Sequence, residues 1–270
     1  MLRRTMPLAR AAVAAAAALG LAACATAQGS TASTAPDPSL IRESTLTVCT
    51  SYPYKPFEFE QDGEVVGFDI DLVKEVAKVL DVDVAYVNED FDDIASGWLL
   101  NSNFCDIGVA AVSIDGDRSR VVDFSSPYFN ATQAMVVQKG SGIKVLNDTF
   151  GGRIAVQKGT TGETFATDNA PPSTQIVKFM SVLEVDSALS GGTVDAAIYD
   201  NNIVGDVVER RPDFEVVAEF DTGEQYGMAV KKDSNVDLLR VINEVFADIQ
   251  ESGRYDEIYE KWFGKTSAKR

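Results

Sequence analysis

The chain has 270 residues, 45% of them hydrophobic and 24% charged, enough for one large or two medium domains. Its 41 Asp and Glu against 24 Lys and Arg argue against nucleic acid as a partner, because phosphate contacts need clustered cations. Histidine is absent, which removes Ser-His-Asp and Cys-His catalysis and the usual zinc sites, so an enzyme here would have to work with carboxylates, Lys or Tyr.

The chain begins with Arg3, Arg4 and Arg10, followed by an apolar stretch over residues 11–21 that is too short for a good membrane span. It closes on "LAAC". Small residues before a cysteine fit a lipobox, with cleavage leaving Cys24 as a lipidated N-terminus; the other reading is a plain secretory signal with an incidental cysteine. Residues 1–24 are accordingly expected to be a lipoprotein signal, placing the protein outside the cytoplasm on the outer face of the cell membrane, or in a periplasm. "ATAQGSTASTAPDPS" follows, rich in Ala, Ser and Thr without apolar periodicity, and residues 25–44 are expected to be a flexible tether. With Cys24 carrying lipid, Cys49 and Cys105 remain as a pair in an oxidising compartment, each in a short apolar run. They form either a disulfide or two buried thiols.

Strand-like and helix-like segments then alternate. "LTVCTS" (46–51) and "VVGF" (65–68) read as strands. Residues 69–80 carry a helical apolar stripe, with Asp69 as the expected N-cap. "DVAYVN" (83–88) is a strand, "FDDIASGWLLN" (91–101) a helix, "CDIGVAAV" (105–112) a buried strand. "QAMVVQ" (133–138) and "RIAVQ" (153–157) are further strands. The helix over 159–169 opens with Thr160 and Glu163 at capping-box spacing. A helix over 181–192, a strand over 195–200 and a helix halted by Pro212 come next. Strands over 214–220 and 226–232 precede a long amphipathic helix ended by Gly253 and a short aromatic helix over 255–264. This pattern predicts an α/β fold of two lobes, each a mostly parallel sheet flanked by helices. Residues 45–129 with 224–264 form the first lobe and 130–223 the second, and the chain crosses between them twice. Residues 265–270 are left as a tail. A cleft between two lobes is the default ligand site.

Several residues in this frame carry chemistry. Arg118 follows a buried strand, where its planar fork suits a carboxylate; the competing readings are a surface ion pair with Asp115 or Asp117 and a calcium loop. The calcium reading fails because Arg118, Ser119 and Arg120 stand where oxygen ligands are needed, and no metal site is expected. "QKGTTGE" offers backbone N–H groups and hydroxyls at a helix start, for an anion or for the helix's own cap. Asp200 ends a buried strand, where it can hold an ammonium or cap the next helix. Tyr54, Phe57 and Phe91 are candidate aromatic walls or plain packing.

The ordered motifs "Y-x-P-F-E-F", "G-F-D-I-D-L", "S-I-x-x-x-R", "V-D-F-S-x-P-Y", "V-Q-K-G-T-T", "D-A-A-I-x-D", "Y-G-M-A-V-K" and "G-x-Y-x-x-I-Y-x-K-W-F-G" together resemble the family 3 bacterial solute-binding proteins. The resemblance runs over about residues 46–264. It implies a two-lobed periplasmic-binding-protein fold of type II, with a two-strand hinge, that takes up a free L-amino acid. Arg118 then corresponds to the residue gripping the ligand carboxylate, assisted by Ser113 and Thr161. Asp200 corresponds to the acceptor of the α-ammonium, with Ala111 offering a backbone carbonyl. Tyr54 and Phe91 correspond to the aromatics flanking the ligand, and Gln157 to a residue reaching its side chain. The implied partners are the permease of an ABC importer with its cytoplasmic ATPase, and the membrane through the N-terminal lipid. The implied state is a monomer without cofactor or chemistry.

Ser51 stands where receptors for basic amino acids carry an aspartate, so Ser51 and Gln157 point to a polar uncharged or acidic ligand. Asp115 stands where a threonine is usual, and it either weakens anion binding or positions the guanidinium. The cysteine pair is also not a feature of the familiar members. Two rival functions remain. One is a cyclohexadienyl-dehydratase-like lyase, for which Glu58 and Glu163 are the candidate acids; the other is a ligand sensor acting on a membrane partner.

Overall fold

The computed structural model describes residues 38–264. The lipobox with Cys24, most of the expected tether and the tail 265–270 lie outside them. Among the described residues no helix is long and apolar enough to cross a membrane.

Strand β1 (Thr45–Thr50) leads to a hairpin of β2 (Phe59–Gln61) and β3 (Glu64–Val66), then helix α1 (Phe68–Leu80), β4 (Asp83–Asn88), α2 (Phe91–Ala95), α3 (Trp98–Asn101), β5 (Ile107–Gly108) and β6 (Val122–Phe124). The middle of the chain supplies β7 (Phe129–Gln138), β8 (Arg153–Gln157), α4 (Thr161–Asn169), β9 (Gln175–Phe179), α5 (Val182–Ser190), β10 (Ala196–Asp200), α6 (Val204–Arg210) and β11 (Phe214–Tyr226). The end adds β12 (Ala229–Lys231), α7 (Val236–Ser252) and α8 (Arg254–Phe263).

These strands form two five-stranded sheets, ordered β4-β1-β5-β12-β6 and β11-β7-β10-β8-β9. In each, four strands run one way and one is reversed, β12 in the first sheet and β7 in the second, so both sheets are mixed. β7 and β11 pair antiparallel from Phe214↔Gln138 to Tyr226↔Phe129, and both join the second sheet to strands of the first. The ladder breaks register between Phe220 and Glu224, so residues 221–223 bulge out of it.

Several elements differ from the sequence reading for identifiable reasons. "VVGF" pairs only with β2 and lies outside both sheets, and Phe68 already belongs to α1. Asp69 does not cap α1, because its carboxylate turns inward to accept the Ala111 N–H and the Tyr128 hydroxyl at 2.9 and 2.8 Å. The helix over 91–101 is broken at Gly97, whose φ of 74° is left-handed and whose position against the Val122 side chain leaves no room for a Cβ. β9 has no counterpart in the reading; it is an edge strand of partly exposed residues without clean alternation. The last residues assigned to the tether are held, since the Ile41 N–H reaches Asp106 at 2.8 Å and the Ser39 carbonyl accepts from Asn235.

The amphipathic stripe of α7, Leu238, Val241, Ile242, Val245, Phe246 and Ile249, is buried as its spacing demands. α8 places Phe263 against Phe57, Phe68 and Phe129, with ring centroids 5.3, 5.3 and 5.0 Å apart. That aromatic cluster continues to Tyr226, so the C-terminal helix braces the crossing strands. Cys49 and Cys105 are joined as a disulfide with their Cα atoms 5.7 Å apart, in a core with Phe91, Ile94 and Leu99.

Under this cluster Glu58 is fully buried, and neither of its carboxyl oxygens nor Asp69 Oδ1 has a partner. Burial, together with the neighbouring Asp69, pushes the Glu58 carboxyl well up, and burial raises Asp69 from 3.8 to about 7. Between those two pH values the folded protein keeps a proton on Asp69 that the unfolded chain has released. The Asp69 contribution to stability should therefore fall as pH rises from 4 to 7, by up to about 4 kcal/mol, and Asp69→Asn should make the slope in denaturant titrations shallower while Glu58 keeps its share. The disulfide closes a span of 56 residues, and reducing it should cost about 4 kcal/mol, read as a lower thermal midpoint with reductant.

Candidate functional site

The loop after β5 starts the site. Ala111 sits in the left-handed region with φ 49°, spends its N–H on Asp69, and brings Ser113 beside the crossing strands through its bridge to Tyr226. Asp115 Oδ1 then accepts the backbone N–H groups of Asp117 and Arg118, both at 2.8 Å, and Oδ2 lies 3.3 Å from Arg118 Nε. Asp115 thus builds the turn and orients the guanidinium. Arg118 donates to the Ser113 carbonyl at 2.7 Å and, from the opposite lobe, to the Gly159 carbonyl at 2.8 Å. The Phe91 ring lies 5.5 Å from the guanidinium carbon, a cation–π contact that the low exposure of Arg118 strengthens. Phe91 is therefore a floor for Arg118.

The second lobe contributes the start of α4 and the end of β10. Thr160 caps α4 by accepting the Glu163 N–H at 3.1 Å, and the Glu163 carboxylate accepts the Gly159 N–H at 2.8 Å rather than that of Thr160. Gly159 has φ 77° and presses against Asp92 of the first lobe, so only glycine fits there. This frees the Thr161 hydroxyl for the cleft, where it lies 3.4 Å from Ser113 Oγ. Asp200 is buried at the end of β10 and accepts from Tyr54 Oη at 3.0 Å, from Gln133 Nε2 at 2.7 Å and from the Tyr226 hydroxyl. Burial and the Glu224 carboxylate raise the Asp200 pKa to about 6 against the opposing pull of those three donors.

Tyr54, Ser113, Arg118, Thr161 and Asp200 are thus brought together, with Phe91 beneath and Ala111 at the edge. Gln157 joins Tyr54 and Asp200 around a cavity of about 20 Å³, its amide held by the Met180 carbonyl at 3.1 Å. Ser51 follows β1, half-buried, and has no hydrogen bond to any of them. Lys158–Asp92 at 2.9 Å and Lys55–Asp206 at 3.8 Å flank the cleft as ion pairs between lobes. Glu58 and Glu163 fall outside the cluster of reactive groups: one is buried beneath the hinge aromatics, the other is tied to Gly159 and to Lys178 at 2.5 Å.

Three residues at the centre escaped the sequence reading. Gln133, fully buried on β7, donates one amide proton to Asp200 and another to Glu224 Oε1 at 2.8 Å. Tyr226 bonds Asp200. Glu224 takes the hydroxyls of Ser113 and Thr161 on Oε2, at 2.7 and 2.5 Å, and that of Thr222 on Oε1 at 2.7 Å. Burial opposes its charge, but these donors outweigh burial and hold the Glu224 carboxyl below its ordinary value. The one available signal was an acid inside the second crossing segment, "FDTGEQYGM".

The model of the bacterial extracellular solute-binding proteins, family 3, matches residues 46–265. The chain belongs to that family. It is 30% identical to a probable histidine-binding protein of Neisseria gonorrhoeae over 92% of both chains, and 34% identical to the glutamine-binding protein GlnH of Bacillus subtilis over 76% of both. It is 31% identical to arginine-binding protein 1 of Escherichia coli, covering 79% of this chain and 88% of that one. Among solved structures, an ancestral arginine-binding protein bound to glutamine is 40% identical with a TM-score of 0.78, covering 83% of this chain and all of that one. A mutant of the arginine-binding protein of T. maritima is 35% identical with a TM-score of 0.77, covering 82% of this chain and 96% of that one. Binding proteins of this family are two-lobed and extracytoplasmic.

Asp200 should titrate near pH 6 in carboxyl-carbon NMR. Tyr226→Phe removes a donor to the carboxylate and should move that midpoint higher.

Proposed function

We propose that the protein is an extracytoplasmic receptor that binds a free L-α-amino acid between its lobes and delivers it to an ABC import permease and its ATPase. The observation that carries this reading is the pairing across the cleft of Arg118 from one lobe with Asp200 from the other. A zwitterion presents opposite charges to those two groups, so a bound amino acid ties the lobes together, and closure becomes the signal a permease reads. Ser113 and Thr161 supply hydroxyls to its carboxylate, Asp200 and the Ala111 carbonyl take its ammonium, and Tyr54 lies along its side chain. Relatives named for histidine, glutamine and arginine binding support an amino acid as the ligand class. A monomer anchored through lipid on Cys24 completes the reading.

The charge of the cleft narrows the ligand. Asp115, Asp200 and Glu224 all act on the single guanidinium of Arg118. An acidic amino acid adds a further negative charge to that surplus, whereas an amide or cationic side chain does not. We therefore favour amide and cationic ligands over the acidic alternative that Ser51 and Gln157 left open. No chemical step is assigned: Glu58 is buried beneath the hinge aromatics, and Glu163 is tied to the Gly159 N–H and to Lys178.

Thermal-shift screening of the purified protein against the common L-amino acids tests this. Stabilisation is expected from amide or cationic ligands; no stabilisation by any amino acid defeats the receptor reading, and an acidic ligand winning defeats the charge argument. Arg118→Ala should weaken the best ligand by about 100-fold or more, the cost of removing one partner of a buried charged pair, with the circular dichroism spectrum unchanged.

A further inference from the structure

The receptor reading assigns the Ser113 and Thr161 hydroxyls to the carboxylate of an amino acid. In the structure both hydroxyls already donate to a carboxylate of the protein itself, Glu224 Oε2. Ser113 follows the first sheet's β5, whereas Thr161 opens α4 of the second lobe, so one side chain from the crossing strand β11 ties the two lobes. Gln133 and Thr222 complete its shell on Oε1. The Gln133 amide is oriented without ambiguity, because its oxygen turned the other way would face both Asp200 and Glu224.

A hydroxyl has one proton to give. It cannot serve Glu224 and a ligand carboxylate at once, and two carboxylates brought onto the same donors repel each other. Arg118 spends hydrogen bonds on the Ser113 and Gly159 carbonyls and makes none to Glu224, so it offsets that repulsion only through its charge at longer range. The side chain has open space beside it: Glu224 and Thr222 line, with Arg118 and Thr161, a cavity of about 830 Å³ that also reaches Asp115 and Thr164. Glu224 also comes directly after the bulge over residues 221–223, where the ladder imposes no register.

Building on the receptor reading, we propose that Glu224 is a built-in competitor of the ligand, a carboxylate that holds the Ser113 and Thr161 hydroxyls between the lobes and is displaced by the carboxylate of an incoming amino acid. Affinity is then set by the difference between two carboxylates on the same donors. A residue outside the ligand's contact shell tunes how much ligand is needed to settle the cleft.

Calorimetric titration of the wild-type protein and of Glu224→Ala with L-arginine, L-glutamine and L-histidine tests the proposal. Affinity for whichever binds should rise about tenfold in the variant, the equivalent of one charge-assisted hydrogen bond no longer lost on binding. Glu224→Gln keeps the shape of the side chain and should show a smaller rise, which preserves the test if the alanine variant does not fold. Equal or weaker affinity in the folded variants overturns the proposal and makes Glu224 a ligand contact or a bystander. A wild type that binds none of the three counts against the ligand class favoured above and not against Glu224. The competitor role is then decided by X-ray scattering without ligand: a larger radius of gyration in the variants upholds Glu224 as the tie between lobes, and an unchanged one overturns it.

Discussion

The antiparallel pairing of β7 with β11 is the constraint on which the molecule depends. Those two strands carry both crossings between the sheets, and their ladder runs from Phe214 to Tyr226 with a shift at Val217 and a wider break at residues 221–223. Backbone hydrogen bonds make the pair stiff along its length, while the break leaves a place where it can flex. Phe57, Phe129, Tyr226 and Phe263 pack over the ribbon, so the last helix of the chain secures the first contact between lobes. A cleft hinged in this way moves along few coordinates, which suits a device that reports occupancy by closing.

The ribbon also determines the electrostatics. Gln133 on β7 and Glu224 and Tyr226 on β11 reach the cleft from below, between Arg118 of one lobe and Asp200 of the other. The two carboxylates of the cleft are each met by donors: Asp200 by Tyr54, Gln133 and Tyr226, Glu224 by Ser113, Thr161, Gln133 and Thr222. Gln133 is the joint between the two sets, spending one amide proton on each. A site built this way has more acid than base.

Much of this was legible in the chain. Periodicity located α1, α4, α5, α6 and α7, and the alternation of strands and helices indicated two α/β lobes. The position of Arg118 after a buried strand, and of Asp200 at the end of another, marked a cleft. What escaped did so for physical reasons. Gly97 breaks a helix because of where its backbone must pass Val122, a contact invisible to spacing. Asp69 has every local mark of an N-cap, yet the Ala111 N–H, 42 residues away, claims its carboxylate. Phe91, expected across from Tyr54, lies instead under the guanidinium.

The sequence by itself determined most of the helices and strands, that they sort into two lobes crossed twice, and which charged groups stand at strand ends. Those features come from periodicity, capping and turn chemistry, all local to a few residues. Only the tertiary structure decided that Asp115 serves Arg118, that Gln133 joins two carboxylates, and that Glu224 takes hydroxyls from both lobes. Each of these depends on hydrogen-bond donors brought together from residues dozens of positions apart, and a hydrogen bond is settled by distance and angle rather than by order along the chain.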